Sequence, residues 1–451
     1  MPRGDVNKTF FITARPVTAT QSRSSESYQS ARKNDDAQRA QRSPSDYPKR
    51  FFRHTCHALT VGLRRRRVPL SDPVRKVATV TVMITSFDDY PIHQTWQPVA
   101  HPESGDPSHY DRYFFNGYSR DGSIFFALAM GLYPNRHVMD TSFSVIKNGE
   151  QINLHASARA PFDRMKCTTV GPVSIDIVEP LKRHHITVFS PEHGITADLH
   201  FTATSLPYEE PPFLASTGNR TTMHYTRLTQ LGSWSGHIEI DGERIEIDSR
   251  DIVGSRDRSW GIRGIGERVQ MGAPVAHAPQ FYWLWAPVCF DTFGTMFDVN
   301  EFSDGERWHQ SGALLTGPDT IQHAHSISYD FEWEPGTRRA QRFTLDYQFA
   351  SSAATLTFEP IVHFQMFGLG YLHPEWSHGT WKGELVVDSD RFPLPVQDPL
   401  AMHHLHVQTL SRVRFSSSTG ETHEGIGVLE TLVLGAHQPS GFTGIADGFT
   451  P

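Results

Sequence analysis

Short apolar segments separated by turn residues recur about every ten residues from position 83 onward. In the clearest case, isoleucines alternate with charged residues on both sides of Asp241-Gly242. An Asp-Gly pair between two alternating segments predicts a β-hairpin, and the alternation gives each strand one buried and one wet face. Similar turns lie at residues 120–122 and 147–150. This spacing predicts an all-β sandwich or barrel.

The strand-like segments form two series, residues 83–265 and 266–451. Each series has about the length of one antiparallel barrel of about eight strands. The one helix-like stretch is residues 399–408, and no internal repeat is evident. We therefore predict two tandem β-barrel domains that meet near residue 265.

Residues 1–82 differ from the rest in composition. They carry 17 of the 42 Lys and Arg residues but only 6 of the 49 Asp and Glu residues. Residues 21–45 are rich in Ser, Arg, Asp and Gln, which predicts disorder. The basic run at residues 64–67 is typical of a targeting address or a nucleic-acid arm. The alternative is a spurious leader, with translation beginning at Met83.

Several function classes are disfavoured. Beyond residue 82 the chain is strongly acidic, which disfavours a nucleic-acid partner. No apolar run approaches the roughly 18 residues of a membrane span, so we expect no stable membrane insertion. Cys56, Cys167 and Cys289 are far apart, and without an export signal this favours a reducing, cytoplasmic location.

The sequence also lacks the marks of common cofactor and metal chemistry. It has no GxSxG elbow, phosphate-binding loop or GxGxxG fingerprint. Histidine pairs such as His323 and His325 share a strand face, but with 25 histidines such pairs arise by chance, and there is no HExxH. We expect neither a cofactor nor a metal ion.

A dense charged motif occupies residues 254–263, with Arg256, Asp257, Arg258, Trp260 and Arg263. In one interpretation, Asp257 is an acid whose pKa is set by the arginines, and Trp260 and Arg263 contact a ligand. In the other, the motif is an ion-paired structural joint between the halves. Burial of an unpaired carboxylate costs several kcal/mol, and the arginines would supply the pairing.

A second candidate site lies at residues 371–384. Acid/base-capable groups stand there among large aromatic residues, namely His373, His378 and Glu384 with Tyr371, Trp376 and Trp381. Imidazole and carboxyl groups beside aromatic walls can exchange protons with an apolar substrate. The alternative is an ordinary loop before a strand, in which these side chains have no catalytic role.

Two further strands carry candidate binding residues. Trp283 and Trp285 lie in one of them, and Asp298 and Asn300 share a face of the other. The latter pair would bind ligand if it faced into a barrel. We expect it to face outward.

Five segments carry a resemblance to a known family. They are residues 110–118, 131–136, 255–263, 283–287 and 373–384. Over roughly residues 85–435 the chain resembles a bacterial group that is similar to the AttH-like proteins, whose fold is two consecutive lipocalin-like β-barrels. The wider set includes carotenoid 1,2-hydratase (hydroxyneurosporene synthase) and pericyclase-type cyclases. The resemblance implies two tandem lipocalin-like antiparallel β-barrels.

Together these observations favour an enzyme that hydrates, isomerises or cyclises a terpenoid, steroid-like or other lipid-like molecule. The acid would be Asp257, His373, His378 or Glu384. Substrate contacts would come from Trp260, Arg263, Trp283, Trp285, Asp298, Asn300, Tyr371, Trp376 and Trp381, with the aromatic faces stabilising cationic charge. The alternatives are a non-catalytic carrier of hydrophobic metabolites and an accessory subunit; the oligomeric state does not follow from the sequence.

Overall fold

Two curled antiparallel sheets account for nearly all regular structure. The computed structural model describes residues 85–266, 279–317 and 320–451. Within these ranges there are 24 strands, seven short 3₁₀ helices and no α-helix. The all-β prediction is confirmed, whereas the leader at residues 1–82 and the start at Met83 lie outside the described residues.

The first sheet takes thirteen of its fourteen strands from the N-terminal half. In chain order these are β1 (His109–Ser119), β2 (Phe125–Tyr133), β3 (Val138–Lys147), β4 (Glu150–Arg159), β5 (Thr169–Val170), β6 (Val173–Glu179), β7 (Arg183–Ser190), β8 (Ile195–Ala203), β9 (Tyr208–Glu209), β10 (Phe213–Thr217), β11 (Arg220–Ile240), β12 (Glu243–Ile247) and β13 (Ile252–Ile262).

The C-terminal half contributes eleven strands. They are β14 (Phe281–Trp285), β15 (Val288–Cys289), β16 (Phe293–Glu301), β17 (Arg307–Thr316), β18 (Thr320–His323), β19 (Ser326–Trp333), β20 (Ala340–Gln348), β21 (Ala353–Gln365), β22 (Leu385–Pro393), β23 (His406–Ser417) and β24 (Thr422–Leu434). All but β22 form the second sheet, whose order is β18-β17-β16-β14-β24-β23-β21-β20-β19, with β15 beside β16 and β24.

The first sheet has the order β22-β4-β3-β2-β1-β13-β11-β8-β7-β6-β5, with β9, β10 and β12 added along β11. The charged motif therefore lies in a central strand, β13, between β1 and β11. The boundary predicted at residue 265 falls between β13 and β14. However, β22 crosses over to pair with β4, so the C-terminal half completes the edge of the first sheet. Residues Thr79–Pro451 form one compact unit.

Local chemistry explains the hairpins. Asn148 and Gly149 have φ of 52° and 78°, and Asp241 and Gly242 have φ of 52° and 82°. Positive φ at both central residues is the type I′ turn that matches the twist of two paired strands.

The helix expected at residues 399–408 is wrong. One 3₁₀ turn, Met402–His404, leads directly into β23, because pairing with both β21 and β24 outweighs a weak local preference. The other 3₁₀ helices are Ser86–Asp89, Pro134–Arg136, Arg164–Lys166, Pro191–His193, Met366–Leu369 and Gln438–Ser440.

The apolar core has three parts. One lies inside the first sheet around Phe115, Phe126 and Trp234, and another lies inside the second around Phe297 and Phe343. The third, which we call the joint, is the layer where outer faces of the two sheets pack together, with contributions from β1, β2, β11, β14, β23 and β24. Among described residues, no helix has the length and hydropathy that a bilayer crossing requires.

Candidate functional site

A trough of short residues runs along β13 on the face that looks into the joint. Asp257, Ser259 and Gly261 alternate onto this face, with long side chains beside them on the neighbouring strands. Arg112 and Arg227 flank Ser259, and Tyr110 and Tyr225 flank Gly261. Gly261 has φ of 133°, and a Cβ there would lie 2.3 Å from the carbonyl oxygen of His224, so a side chain cannot fill this position. We call this line and its flanking residues the trough.

Asp257 has no direct partner on the trough face of β13 within the described residues. Across the described ranges, no group donates a hydrogen bond to its carboxylate, and no basic nitrogen lies within 4.0 Å of it. Burial raises the pKa of Asp257, although the charges of Arg227, Arg263 and Arg112 act against this. The three guanidinium groups are therefore near enough to affect the carboxyl group, yet none of them lies within ion-pair distance of it.

The other two arginines of the motif point to the opposite face of β13. Arg256 donates to Gln230 Oε1 at 2.9 Å, and Arg258 forms an ion pair with Asp111. The ion pairing that a structural joint at Asp257 would need is therefore not seen within the described residues, because strand alternation separates the neighbouring charges.

The arginines that face the trough are held by different partners. Arg112 donates to His378 Nε2 and to the carbonyl oxygen of Leu369, and lies 4.7 Å from the ring of Tyr371. Arg263 lies over the ring of Tyr110 at 4.7 Å. Arg227, in contrast, forms an ion pair with Glu210 and lies over Trp283 at 4.6 Å. The guanidinium groups thus stand against aromatic faces.

Two more carboxyl groups near the joint have raised pKa values. Burial raises the pKa of Glu210 to about 7 despite the adjacent Arg227, and Glu210 Oε1 accepts hydrogen bonds from Thr229 and Trp285. Burial raises the pKa of Asp140 to about 6, and its carboxylate accepts a hydrogen bond from the backbone N–H of Gly379 at 2.7 Å. Unlike Asp257, both have hydrogen-bond partners.

A closed hydrogen-bond network crosses the joint beside the trough. Asn116 of the first sheet accepts from the backbone N–H of Ser255 at 2.7 Å and donates to Gln408 of the second at 3.0 Å. Gln408 donates in turn to Glu430, whose other oxygen accepts from Trp283 and pairs with His406. Burial acts against the charge on Glu430, but His406 and these hydrogen bonds lower its pKa. This network fixes the two sheets against each other.

A second polar cluster, which we call the Asp390 cluster, lies between β4, β22 and residues 373–380. His155 and His373 both direct Nε2 at Asp390 Oδ2, at 3.0 and 3.3 Å, and Asn153 donates to Oδ1. The Nδ1 atom of His373 accepts two backbone N–H groups, so its proton is on Nε2 and is donated to Asp390. Burial acts against the charge on Asp390, but the hydrogen bonds from His155 and His373 outweigh it and lower the pKa.

The structure gathers only part of the predicted site. The residues that face the joint are Asp257, Arg263, Trp283, Trp285, Asp298, Asn300, Tyr371 and His378. Burial, reinforced by Arg112, lowers the pKa of His378 well below its usual range, so this imidazole is a neutral acceptor for Arg112.

The other predicted residues lie elsewhere. Trp260 and Trp381 are each 43% exposed. Glu384 is on the surface, where its hydrogen bond from Arg159 lowers its pKa. His373 belongs to the Asp390 cluster, and Trp376 stacks on His155 of that cluster at 5.4 Å.

Asp298 and Asn300 face away from the barrel interior, as expected, but they are not at the surface. Phe297 and Val299 fill the interior of the second sheet, and the opposite face of β16 is covered by the joint. At the joint, Asp298 is hydrogen-bonded to His309, and Asn300 donates a hydrogen bond to the carbonyl oxygen of Tyr282 at 2.9 Å. The first sheet covers what would otherwise be a solvent face.

Several residues of the joint were missed from the sequence. They are Tyr110, Arg112, Glu210, Tyr225, Arg227, His406 and Glu430. The alternation of Tyr110, Arg112 and Phe114 marks one strand face, but only the pairing of β1, β13 and β11 brings that face beside Asp257.

Three groups of side chains in the described ranges offer ligand atoms within 4.8 Å of one another. His373 in the Asp390 cluster cannot supply Nε2 to a metal, because its Nδ1 already accepts two backbone N–H groups. Glu210, Asp298 and His309 have hydrogen-bond partners, with the Arg227 cation beside Glu210. His185, Asp198 and His200 form a surface group on β7 and β8. That no metal is bound stays a prediction.

The family model that matches this chain covers residues 84–443 and describes a family of unknown function (DUF8625). The chain belongs to this family. Comparison with curated proteins finds no match.

Solved structures with similar folds include a putative AttH from Nitrosomonas europaea, at 13% identity and a TM-score of 0.44, over 75% of this chain and 97% of that one. Kievitone hydratase from Nectria haematococca matches at 11% identity and a TM-score of 0.42, over 71% and 88%. CghA, solved with Sch210972, matches at 10% and 0.44, over 73% and 89%.

Proposed function

We propose that this protein is an enzyme that hydrates, isomerises or cyclises a hydrophobic small molecule of terpenoid, steroid-like or other lipid-like type. The reaction takes place in the trough, and Asp257 is the general acid. The observation that carries the proposal is a central carboxyl group with a raised pKa and no hydrogen-bond partner among the described residues. A general acid must hold its proton near neutral pH and be free to transfer it.

The surroundings of Asp257 suit a hydrophobic ligand. The rings of Tyr110 and Tyr225 meet edge to face over Gly261 with centroids 6.1 Å apart, and Phe213 stacks on Tyr225 at 4.4 Å. Trp283 of the second sheet lies 5.8 Å from Phe213. Apolar walls with few converging polar groups are typical of small-molecule sites.

The charge arrangement supports a complete acid/base cycle. After Asp257 has given its proton to the substrate, its carboxylate is stabilised by the charges of Arg112, Arg227 and Arg263. The carboxylate then accepts a proton from the attacking water in a hydration, or from a substrate carbon in an isomerisation or cyclisation. Burial favours the return of the acid to its neutral form.

The test compares the wild-type protein with Asp257→Asn. Each is incubated with the lipid-soluble extract of cells of the source organism, and compounds that change are identified by liquid chromatography and mass spectrometry. We expect the wild type to convert one compound into an isomer or a product one water heavier, and Asp257→Asn to bind that compound without converting it.

The control is Asp251→Asn, which changes an exposed aspartate close to the same strand. Equal conversion by wild type and Asp257→Asn would refute the role of Asp257. A ligand recovered unchanged and in stoichiometric amount from both proteins would instead establish a carrier.

A further inference from the structure

Two arginines of the trough have no carboxylate partner. Across the described ranges, no carboxylate oxygen lies within 4.0 Å of the guanidinium groups of Arg112 or Arg263. The Nε atom of each is buried and has no hydrogen-bond partner there. Arg112 as a whole is only 2% exposed. Arg112 is therefore a buried charge and Arg263 a partly buried one, and neither has a direct counter-ion among the described residues.

Neighbouring arginines do form ion pairs with carboxylates. Arg227 on the same face forms an ion pair with Glu210, and Arg258 on the other face forms one with Asp111. Within the described part of the chain, the acceptors of Arg112 are neutral, namely His378 and the Leu369 carbonyl. The ring of Tyr371 brings Arg112 and Arg263 together, at 4.7 and 5.5 Å from their guanidinium carbons.

The positive charges of the trough favour an anionic reactive intermediate over a cationic one. A carbocation formed beside Asp257 would meet the positive charges of Arg112, Arg227 and Arg263, and the trough would destabilise it. Negative charge that develops on a substrate oxygen would instead be stabilised by the same groups. A guanidinium group also matches the geometry of an oxyanion by donating two hydrogen bonds to it.

We propose that the ligand of the trough carries an acidic oxygen, as a carboxylate, enolate or phenolate, on its hydrophobic skeleton, and that Arg112 and Arg263 bind this oxygen as an anion. The inference rests on the proposed function, since it concerns the same site, and it narrows the substrate to hydrophobic anions. A pure hydrocarbon is then a poor ligand.

The test uses two fluorescent probes with the same aromatic skeleton, the anion 8-anilinonaphthalene-1-sulfonate and the neutral N-phenyl-1-naphthylamine. Each is titrated into wild type, Arg263→Gln, Arg263→Lys and Arg258→Gln, after the melting curve of each variant has confirmed folding. Arg258→Gln is the matched control, because Arg258 belongs to the same strand but points to its other face.

We expect wild type to bind the anion at least about tenfold more tightly than the neutral probe, as loss of a charged hydrogen bond implies. Arg263→Gln should lose that preference, Arg263→Lys should keep part of it, and Arg258→Gln should keep it whole. Equal binding of the two probes by wild type, binding of neither, or an unchanged preference in Arg263→Gln would overturn the proposal. Equal binding or an unchanged preference leaves the conversion test with Asp257→Asn untouched, so the restriction to anions can fail while the proposed function stands, whereas binding of neither probe would also count against a hydrophobic ligand.

Discussion

Asp257 and Asp390 are two aspartates in basic surroundings whose pKa values move in opposite directions. Asp390 accepts hydrogen bonds from His155, His373 and Asn153, and its pKa is lowered. Asp257 has three guanidinium groups around it but no hydrogen bond within the described residues, and its pKa is raised by burial. Proximity to positive charge does not offset desolvation unless donors reach the carboxylate. On the proposed function, the Asp390 cluster serves stability and the trough serves proton transfer.

The largest expected effect is a difference in turnover between the Asp257 and Asp390 variants. Asp257→Asn should lower turnover by roughly 10²- to 10⁴-fold, the usual contribution of a general acid, while ligand affinity is retained. Asp390→Asn should leave the turnover of folded protein close to that of wild type. The turnover of both variants is measured as the initial rate at saturating substrate. Circular dichroism gives the folded fraction by which each rate is corrected. Equal losses in the two variants would remove the distinction between the clusters.

The next effect concerns stability, where we expect Asp390→Asn, and not Asp257→Asn, to be the damaging substitution. Asp390→Asn directs an amide donor at the donor of Asn153 and weakens the bonds from His155 and His373, which should cost on the order of 1–3 kcal/mol after solvent screening. Asp257→Asn should raise the thermal midpoint at pH 7, since the unfolded wild type is favoured by ionisation of Asp257 and the unfolded asparagine variant is not. Thermal and urea unfolding measure both variants. A destabilised Asp257→Asn would favour the structural interpretation of the charged motif.

The pH dependence of stability sharpens the same comparison. The pKa of Asp390 is lower in the folded than in the unfolded state, so its contribution is present above the unfolded pKa and is lost as pH falls through the folded pKa. The pKa of Asp257 is higher in the folded state, so protonation stabilises the fold and this contribution is lost as pH rises through the folded pKa. As the pH rises above the unfolded pKa of about 3.9, Asp257→Asn should gain stability relative to wild type until the folded pKa of Asp257 is passed, whereas the Asp390→Asn deficit should stay constant above about pH 5. A parallel trend in both variants would contradict the assigned directions.

The smallest effect is expected at Glu384. Its ion pair with Arg159 is exposed to solvent, where screening leaves little net energy. Glu384→Gln should therefore leave the melting midpoint and turnover unchanged within error, with Arg159→Gln as its matched control. A loss of turnover in Glu384→Gln alone would return Glu384 to the site.

The sequence predicts the fold far better than the site. Hairpins at Asp241-Gly242 and Asn148-Gly149 follow from local turn chemistry, so the all-β class and several of the hairpins can be predicted. Alternation even places Asp257 and Arg263 on one face of a strand and Arg256 and Arg258 on the other.

What the sequence alone did not show is which strands become neighbours. Arg112 and Arg227 flank Ser259 only because β13 pairs with both β1 and β11. Of these two strands, β1 precedes β13 in the chain by more than a hundred residues. The crossing of β22 into the first sheet assembles the Asp390 cluster in the same way. Both clusters depend on long-range pairing that no local pattern specifies.

The most direct test of the open acid site is the titration of Asp257 itself. Infrared difference spectra of wild type against Asp257→Asn, recorded from pH 3 to 9, isolate the carbonyl band of the protonated Asp257 side chain. We predict that this band persists to pH values above the ordinary range of an aspartic acid and shifts when a hydrophobic anion binds. Loss of the band at or below the ordinary pKa of about 3.9 would show that Asp257 is an ion-paired structural residue.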